Sequence, residues 1–300
     1  MKSFSSTVKE ELCLANNEFD CCDKAEYMGL MLFGALINGS VIKFITGNID
    51  VLNKYIKLGK SLGLKIDSKQ SGSGAAARYI AEVSDSEKIL RILDRLKLLD
   101  PSTGVIRYRI FRGLIQSDCC RRAFIKGAFM SGGTVINPSK NYNLEFVTPY
   151  LGLSRDMDEL LSESGFEFKH TVRKSKYVLY TKNSETISDF LAYLEAFKSQ
   201  MSLLNIKIEK EIRNDFNRSV NIETANLEKT INASVRQVYA IERLSETIGL
   251  ENIPDDLRET AFLRLKHKDL SLSELGRLMN PPMTKSGVNR RMKKLIEMAE

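Results

Sequence analysis

Residues 20–34, DCCDKAEYMGLMLFG, begin polar and end apolar, and residues 118–132, DCCRRAFIKGAFMSG, follow the same course. At a constant offset of 98 the two stretches share the Asp, both Cys, an Ala and two Gly. The likeness continues downstream. Each stretch is followed by an alternating, strand-like run (SVIKFIT; NLEFVTP), then a helical run closing on Gly (VLNKYIKLGKSLG; SRDMDELLSESG). A second strand-like run follows, centred on Tyr79 or Tyr177, and then a closing amphipathic helix (SEKILRILDRLKLL; SETISDFLAYLEAF). Periods of 3.6 and 2 therefore alternate in the same order twice. They predict two copies of one helix–strands–helix–strands–helix unit, over about 20–100 and 118–200.

Glycine in the middle of a helix costs about 1 kcal/mol relative to Ala, so Gly29 and Gly127 need a reason beyond helix termination. Bare backbone allows two helices to approach closely, and the two repeat helices are expected to pack on each other about a pseudo-twofold axis. Beyond the repeats, residues 205–249 are nearly free of Gly and Pro and rich in polar side chains, which predicts one or two long helices bridging two domains. Arg213, Asn214, Asn217, Arg218 and Asn221 form a polar stripe there, either a solvated face or a contact for nucleic acid.

From residue 251 the pattern changes to three short helices. IPDDLRETAFLRLKHK opens with acids and closes with bases, as the helix dipole favours. SLSELGRLM starts with Ser271 and Glu274, three apart, as in a capping box. After NPP, TKSGVNRRMKKLIEMA starts at or near a Thr284 cap, carries Lys285, Arg290, Arg291, Lys293 and Lys294, and has no acid before Glu297. This is a helix-turn-helix pattern, whose second helix reads the major groove with its N-terminal residues. Val288, Met292 and Leu295 are expected to face the core. Lys285, Ser286, Asn289 and Arg290 are then the groove-facing candidates, with Arg291, Lys293 and Lys294 nearer phosphates.

A net charge of +7 and a pI near 9.0 add an anionic partner to this picture. Six Lys or Arg against one acid lie between Pro101 and Met130, and five bases and no acid between Lys169 and Lys182. Arg173, Lys174 and Lys176 are the phosphate candidates in the second cluster, with an ordinary solvated face as the alternative. Apolar runs such as YMGLMLFGALI are too short for a bilayer span, and MKSFSSTVKEEL has no secretory core. A cytoplasmic, nucleoid-associated protein without membrane contact is expected. The five cysteines, an odd number containing two adjacent pairs, suit a reducing compartment. Adjacent pairs are poor zinc ligands, and His170 and His267 lie far away in sequence, so buried thiols at matching repeat positions are expected rather than a metal site. SGSGAAARY lacks the Lys and the Ser or Thr of a phosphate-binding loop and reads as a turn between strands; no cofactor is expected.

YMGLMLFGAL and IKGAFMSGGT resemble the paired motif of LAGLIDADG homing endonucleases, in which an acid near the end of each helix holds the catalytic metal. Those positions fall here on Gly34 and Gly132, and residues 27–49 and 119–144 contain no Asp or Glu. The resemblance therefore implies a nuclease fold without hard-oxygen ligands for Mg²⁺. More specifically, FSSTVKEEL, CCRRAFIKGAFMSGGTV, NRSVNIETANLEKTINASVRQ and LSLSELGRLMNPPMTKSGVNRRMKKL resemble the WhiA family of bacterial DNA-binding regulators from end to end. That family implies an α+β fold of two pseudo-symmetric LAGLIDADG-like repeats (1–205), a helical linker (206–249) and an all-α helix-turn-helix domain (250–300). It also implies a non-enzymatic regulator of double-stranded DNA with roles in transcription control, cell division, chromosome segregation and, in some relatives, sporulation. Other regulatory or cell-division proteins are further partners in that picture. The alternative is a protein-interaction scaffold built on a dead nuclease fold, with DNA binding secondary.

Overall fold

A computed structural model describes residues 2–38 and 40–300. The chain divides into two compact units, Met1–Glu209 and Lys210–Glu300. The first contains both repeats, preceded by a helix α1 (Phe4–Leu14) that buries Val8 and Leu12. Repeat one comprises α2 (Asp20–Gly34), β1 (Ala35–Ile37), β2 (Ile42–Thr46), α3 (Ile49–Ser61), β3 (Asp67–Ser71), β4 (Arg78–Val83) and α4 (Ser86–Arg95). Repeat two comprises α5 (Asp118–Gly132), β5 (Gly133–Val135), β6 (Leu144–Thr148), α6 (Leu151–Glu163), β7 (Lys169–Arg173), β8 (Lys176–Thr181) and α7 (Ser184–Tyr193). The antiparallel sheets have matching orders, β1-β2-β4-β3 and β5-β6-β8-β7.

The repeat offset is 98 through α2 and β1, becomes 102 from β2 to β3, and returns to 98 at β4. Loop length accounts for both shifts. The β5–β6 connection is four residues longer than its counterpart, and the β7–β8 hairpin is four residues shorter than the β3–β4 connection, where SGSGAAARY forms the expected turn. The matching helices α3 and α6 end alike, with Gly63 (φ 87°) and Gly165 (φ 86°) in the left-handed conformation that suits glycine after a helix.

Helices α2 and α5 pack together at their glycines. A methyl group on Gly29 would lie 2.2 Å from the Phe124 carbonyl oxygen, and one on Gly127 would lie 2.1 Å from that of Glu26. Cys22 faces Cys120 near the helix starts, while Gly34 faces Ser131 and Gly132 faces Phe33 near the ends. The two helices therefore run parallel and in register. Beside this contact is a buried charge network. Glu26 sits 3.5 Å from both Lys54 and Lys126, and Lys126 donates to Asn17 Oδ1 at 3.0 Å. Burial pushes the Glu26 carboxyl above the usual carboxylate range, against the pull of the two lysines.

Helix α8 (Phe197–Thr247) is one uninterrupted element that starts eight residues before the expected Asn205. Its first turn is capped from far away in sequence: Glu11 of α1 accepts from Lys198 N (2.7 Å), Ser199 N (2.9 Å) and Ser199 Oγ (2.6 Å). Such acceptors satisfy N–H groups that the helix itself leaves unpaired. The last turns of α8 contribute Ile241 and Leu244 to the core of the second unit. There they pack with α9 (Asp255–Lys266), α10 (Leu272–Leu278) and α11 (Lys285–Ala299). No helix among the described residues is long and apolar enough to cross a membrane.

Candidate nucleic-acid interface

Two local caps position the helix-turn-helix. Ser271 and Glu274 form the expected reciprocal capping box, with Glu274 N donating to Ser271 Oγ at 3.3 Å and Ser271 N to Glu274 Oε2 at 2.8 Å. Thr284 Oγ1 accepts from Gly287 N at 3.3 Å and starts α11. Val288, Met292 and Leu295 are buried as expected. With about 100° of rotation per residue, the exposed Ser286, Asn289, Arg290 and Lys293 centre on the opposite side of α11. Lys285 and Lys294 are exposed and Arg291 is half-buried. Ser286, Asn289 and Arg290 all fall within the first two turns, the part of such a helix that can meet base edges.

Two residues that build this motif were not singled out from the sequence. Gly276 in α10 permits the turn to close, because a methyl group there would stand 2.2 Å from the Met283 carbonyl oxygen, and Met283 N donates to Gly276 O at 2.8 Å. The lone Gly between Leu275 and Arg277 was the available signal. Arg264, buried in α9, donates to the carbonyl oxygens of Leu270 (2.6 Å) and His267 (3.3 Å), tying down the α9–α10 turn. Ser234 of α8 holds the same turn through the Lys268 carbonyl. Nothing local in the sequence distinguishes Arg264 from the basic residues around it.

In the first unit, Arg173 ends β7, Lys176 begins β8 and the two are register partners, with Lys174 in the connecting turn. All five residues of β7 are exposed. Arg173 Nη2 donates to Glu145 Oε1 of β6 at 2.8 Å, which fixes its direction across the sheet, and Lys182 lies over the Tyr180 ring. The structure thus gathers Arg173, Lys174 and Lys176 at one end of a hairpin in the first unit and the α11 residues on one helix face in the second. Arg213, Asn214, Asn217, Arg218 and Asn221 are all exposed along α8.

At the far end of the helix pair the space for an acid is closed. A methyl group on Gly34 would lie 2.5 Å from the Phe44 ring and 2.7 Å from Ser131 Cβ, and one on Gly132 would lie 2.9 Å from Phe33 Cβ. A carboxylate at either position is excluded by packing unless those rings move. Among the described residues, one group of three potential metal-ligating side chains comes together, and it lies elsewhere: Cys21, Cys22 and Cys120. The sequence-based objection to adjacent cysteines holds for either pair alone. In the folded protein the parallel helices bring Cys120 to Cys21 and Cys22, a grouping that neither pair offers alone.

Comparison with known proteins agrees with this architecture. The model of the WhiA LAGLIDADG-like domain matches residues 121–213, and that of the WhiA C-terminal HTH domain matches residues 216–299. The chain is 37% identical over 310 residues to the probable cell division protein WhiA of Alkaliphilus metalliredigens, covering 99% of this chain and 98% of the relative. It is 36% identical to that of Clostridium tetani, covering 99% and 97%. Among solved structures, full-length DUF199/WhiA from Thermatoga maritima superposes with a TM-score of 0.61 at 25% identity, covering 99% of this chain and 98% of that one.

Proposed function

The chain belongs to the WhiA family, and from that premise we propose that it is a sequence-specific DNA-binding regulator without nuclease activity, acting in transcription control, cell division and chromosome segregation. The observation that carries this reading is the face of α11: Ser286, Asn289 and Arg290 stand exposed opposite a buried apolar seam, in a helix with no acid before Glu297. Asn and Arg are the side chains that read adenine and guanine edges by paired hydrogen bonds. Arg291, Lys293 and Lys294 supply charge along the same helix, while Arg173, Lys174 and Lys176 add a second, sequence-independent grip.

Binding of the full-length protein to its preferred duplex and to a scrambled one, at several salt concentrations, tests this division. Arg290→Ala should cost about 1–3 kcal/mol on the preferred duplex and little on the scrambled one. Lys174→Ala should weaken both about equally. Equal effects of both substitutions on both duplexes would remove the assignment of base reading to α11. The expectation of no nuclease activity is supported by Gly34 and Gly132, since neither offers an oxygen ligand and packing leaves little space for one. Supercoiled plasmid incubated with the protein and Mg²⁺ should stay intact; nicking that depends on both would refute this part.

A second reading, a protein-docking scaffold, draws on the exposed apolar residues Ile208, Ile212, Phe216, Leu227, Ile231 and Val235 along α8. Under that reading, Phe216→Ser and Ile231→Ser would abolish function in cells while leaving DNA affinity intact.

A further inference from the structure

We propose that Cys21, Cys22, Cys119 and Cys120 form a binding site for a thiophilic divalent cation, with Zn²⁺ the fitting ion, at the start of the paired helices α2 and α5. The sulfur atoms of Cys21, Cys22 and Cys120 lie within 4.8 Å of one another, and those of Cys22 and Cys120 are 3.9 Å apart. A tetrahedral zinc site with Zn–S bonds of about 2.3 Å has sulfur atoms about 3.8 Å apart. The Cys22–Cys120 edge therefore already has the required length, and the two edges from Cys21 need adjustments of at most about 1 Å, within reach of side-chain rotation. Cys119, beside Cys120 in the first turn of α5, is the fourth ligand of the proposal: its thiol lies 3.2 Å from Ser117 Oγ and would turn toward the ion by side-chain rotation.

Each repeat provides half of the site. Each pair occupies the first turn of its helix, and the parallel packing set by Gly29 and Gly127 makes the two helix starts converge. Each coordinating thiol releases its proton to solvent as the ion binds. A single Cys22–Cys120 disulfide is the competing fate of these atoms, but it would leave Cys21 and Cys119 unengaged and requires closing 3.9 Å to about 2.05 Å. One ion engages all four.

The site is separate from the nuclease-like positions. Cys22 and Gly34 are twelve residues apart on one helix, about 18 Å at 1.5 Å per residue. Its role is that of a staple: two ligands from each repeat fasten the halves at the end of the helix pair opposite the glycines.

The test uses the full-length protein, reduced and stripped of metal with a chelator, then titrated with Co²⁺ and back-titrated with Zn²⁺. One Co²⁺ per chain should bind, with sulfur-to-cobalt charge-transfer absorption and the visible bands of tetrahedral cobalt, and Zn²⁺ should displace it. Cys22→Ser with Cys120→Ser should weaken binding at least about 100-fold. Because those thiols are buried, Cys21→Ser with Cys119→Ser provides a second arm at the more accessible positions, and it should abolish the four-sulfur spectrum in a protein that keeps its helical circular dichroism. Cys13→Ser, outside the cluster beside Met130, should leave the titration unchanged. No cobalt–sulfur band in the unaltered protein, a band indifferent to both double substitutions, or a Cys22–Cys120 disulfide formed in air that metal does not prevent would each overturn the proposal.

Discussion

The two repeats share their elements, sheet order and helix ends, yet their second hairpins differ in charge. Asp67, Lys69, Arg78 and Glu82 give β3 and β4 two charges of each sign, whereas Lys169, Arg173, Lys174 and Lys176 on or between β7 and β8 are all basic. Their turns differ as well. The first uses Gly72 (φ 75°) and Gly74 (φ 58°), while the second places Lys174 (φ 50°) and Ser175 (φ 58°) in the left-handed region. Buried positions diverge too: Glu26 corresponds to Phe124, and Lys54 to Asp156, whose carboxylate binds Arg109 at 2.6 and 2.7 Å and accepts from Ile110 N. Apolar periodicity and the central glycines are enough to keep the fold. Charge, exposed or buried, differs between the repeats on the same frame, and the basic hairpin of the second is the feature on which the proposed second grip on DNA rests.

The buried network around Glu26, which joins Lys54 of repeat one to Lys126 of repeat two, offers the strongest test. Glu26→Ala would leave Lys54 and Lys126 buried without their shared carboxylate and should cost about 3–5 kcal/mol, the usual penalty for removing one member of a buried ion group. Urea unfolding measures it. A loss below about 1 kcal/mol would mean that water reaches these lysines and that the asymmetry carries no energetic weight.

Next in size is the seam common to both repeats. Gly127→Ala places a methyl group against the Glu26 carbonyl, backbone that cannot rotate away, and should destabilise by about 2–3 kcal/mol, as overpacking does. Gly165→Ala meets open space and loses only through its φ of 86°, about 1 kcal/mol. Equal losses would show that the helices separate readily at the seam.

The charge difference itself is tested on DNA. Replacing Arg173, Lys174 and Lys176 together by Gln should lower affinity about tenfold at moderate salt and reduce the slope of log K against log salt by about 2–3, one phosphate contact contributing about 0.9. The matched change in repeat one, Lys69 and Arg78 to Gln, should leave the slope unaltered. Similar effects in both repeats would make the basic hairpin an ordinary solvated surface.

How far these features could be read beforehand follows the range of the interactions behind them. The repeat, the helix-breaking glycines, the Ser271–Glu274 box and the inward face of α11 depend on residues a few positions apart, and local pattern displays them. The start of α8 does not. Phe197 begins that helix because Glu11, nearly two hundred residues earlier, accepts its free N–H groups, and no local signal precedes it. The thiol cluster stayed hidden for a related reason: Cys21–Cys22 and Cys119–Cys120 were visible as pairs, but their union depends on the parallel register of α2 and α5. Gly276 was visible as a residue, yet the carbonyl it accommodates belongs to a turn whose path only the fold supplies.

The smallest effect separates the basic hairpin's charge from its backbone. A non-glycine residue in the left-handed region costs roughly 1–2 kcal/mol, and glycine gives back part of that through the freedom it loses on folding, roughly 0.5–1 kcal/mol. Ser175→Gly should therefore stabilise the protein by up to about 1 kcal/mol, measured by thermal unfolding, with DNA affinity unchanged because no charge is lost. Lys174→Gly relieves the same backbone but removes a charge beside Arg173 and Lys176, so its gain in stability should come with weaker, less salt-sensitive binding. In repeat one the opposite change, Gly72→Ala at φ 75° with a carbonyl oxygen 3.1 Å away, should lose about 1 kcal/mol and leave binding alone. If Ser175→Gly also weakened DNA binding, the hairpin would be gripping through the shape of its turn, and the contrast between the repeats would be one of backbone as much as of charge.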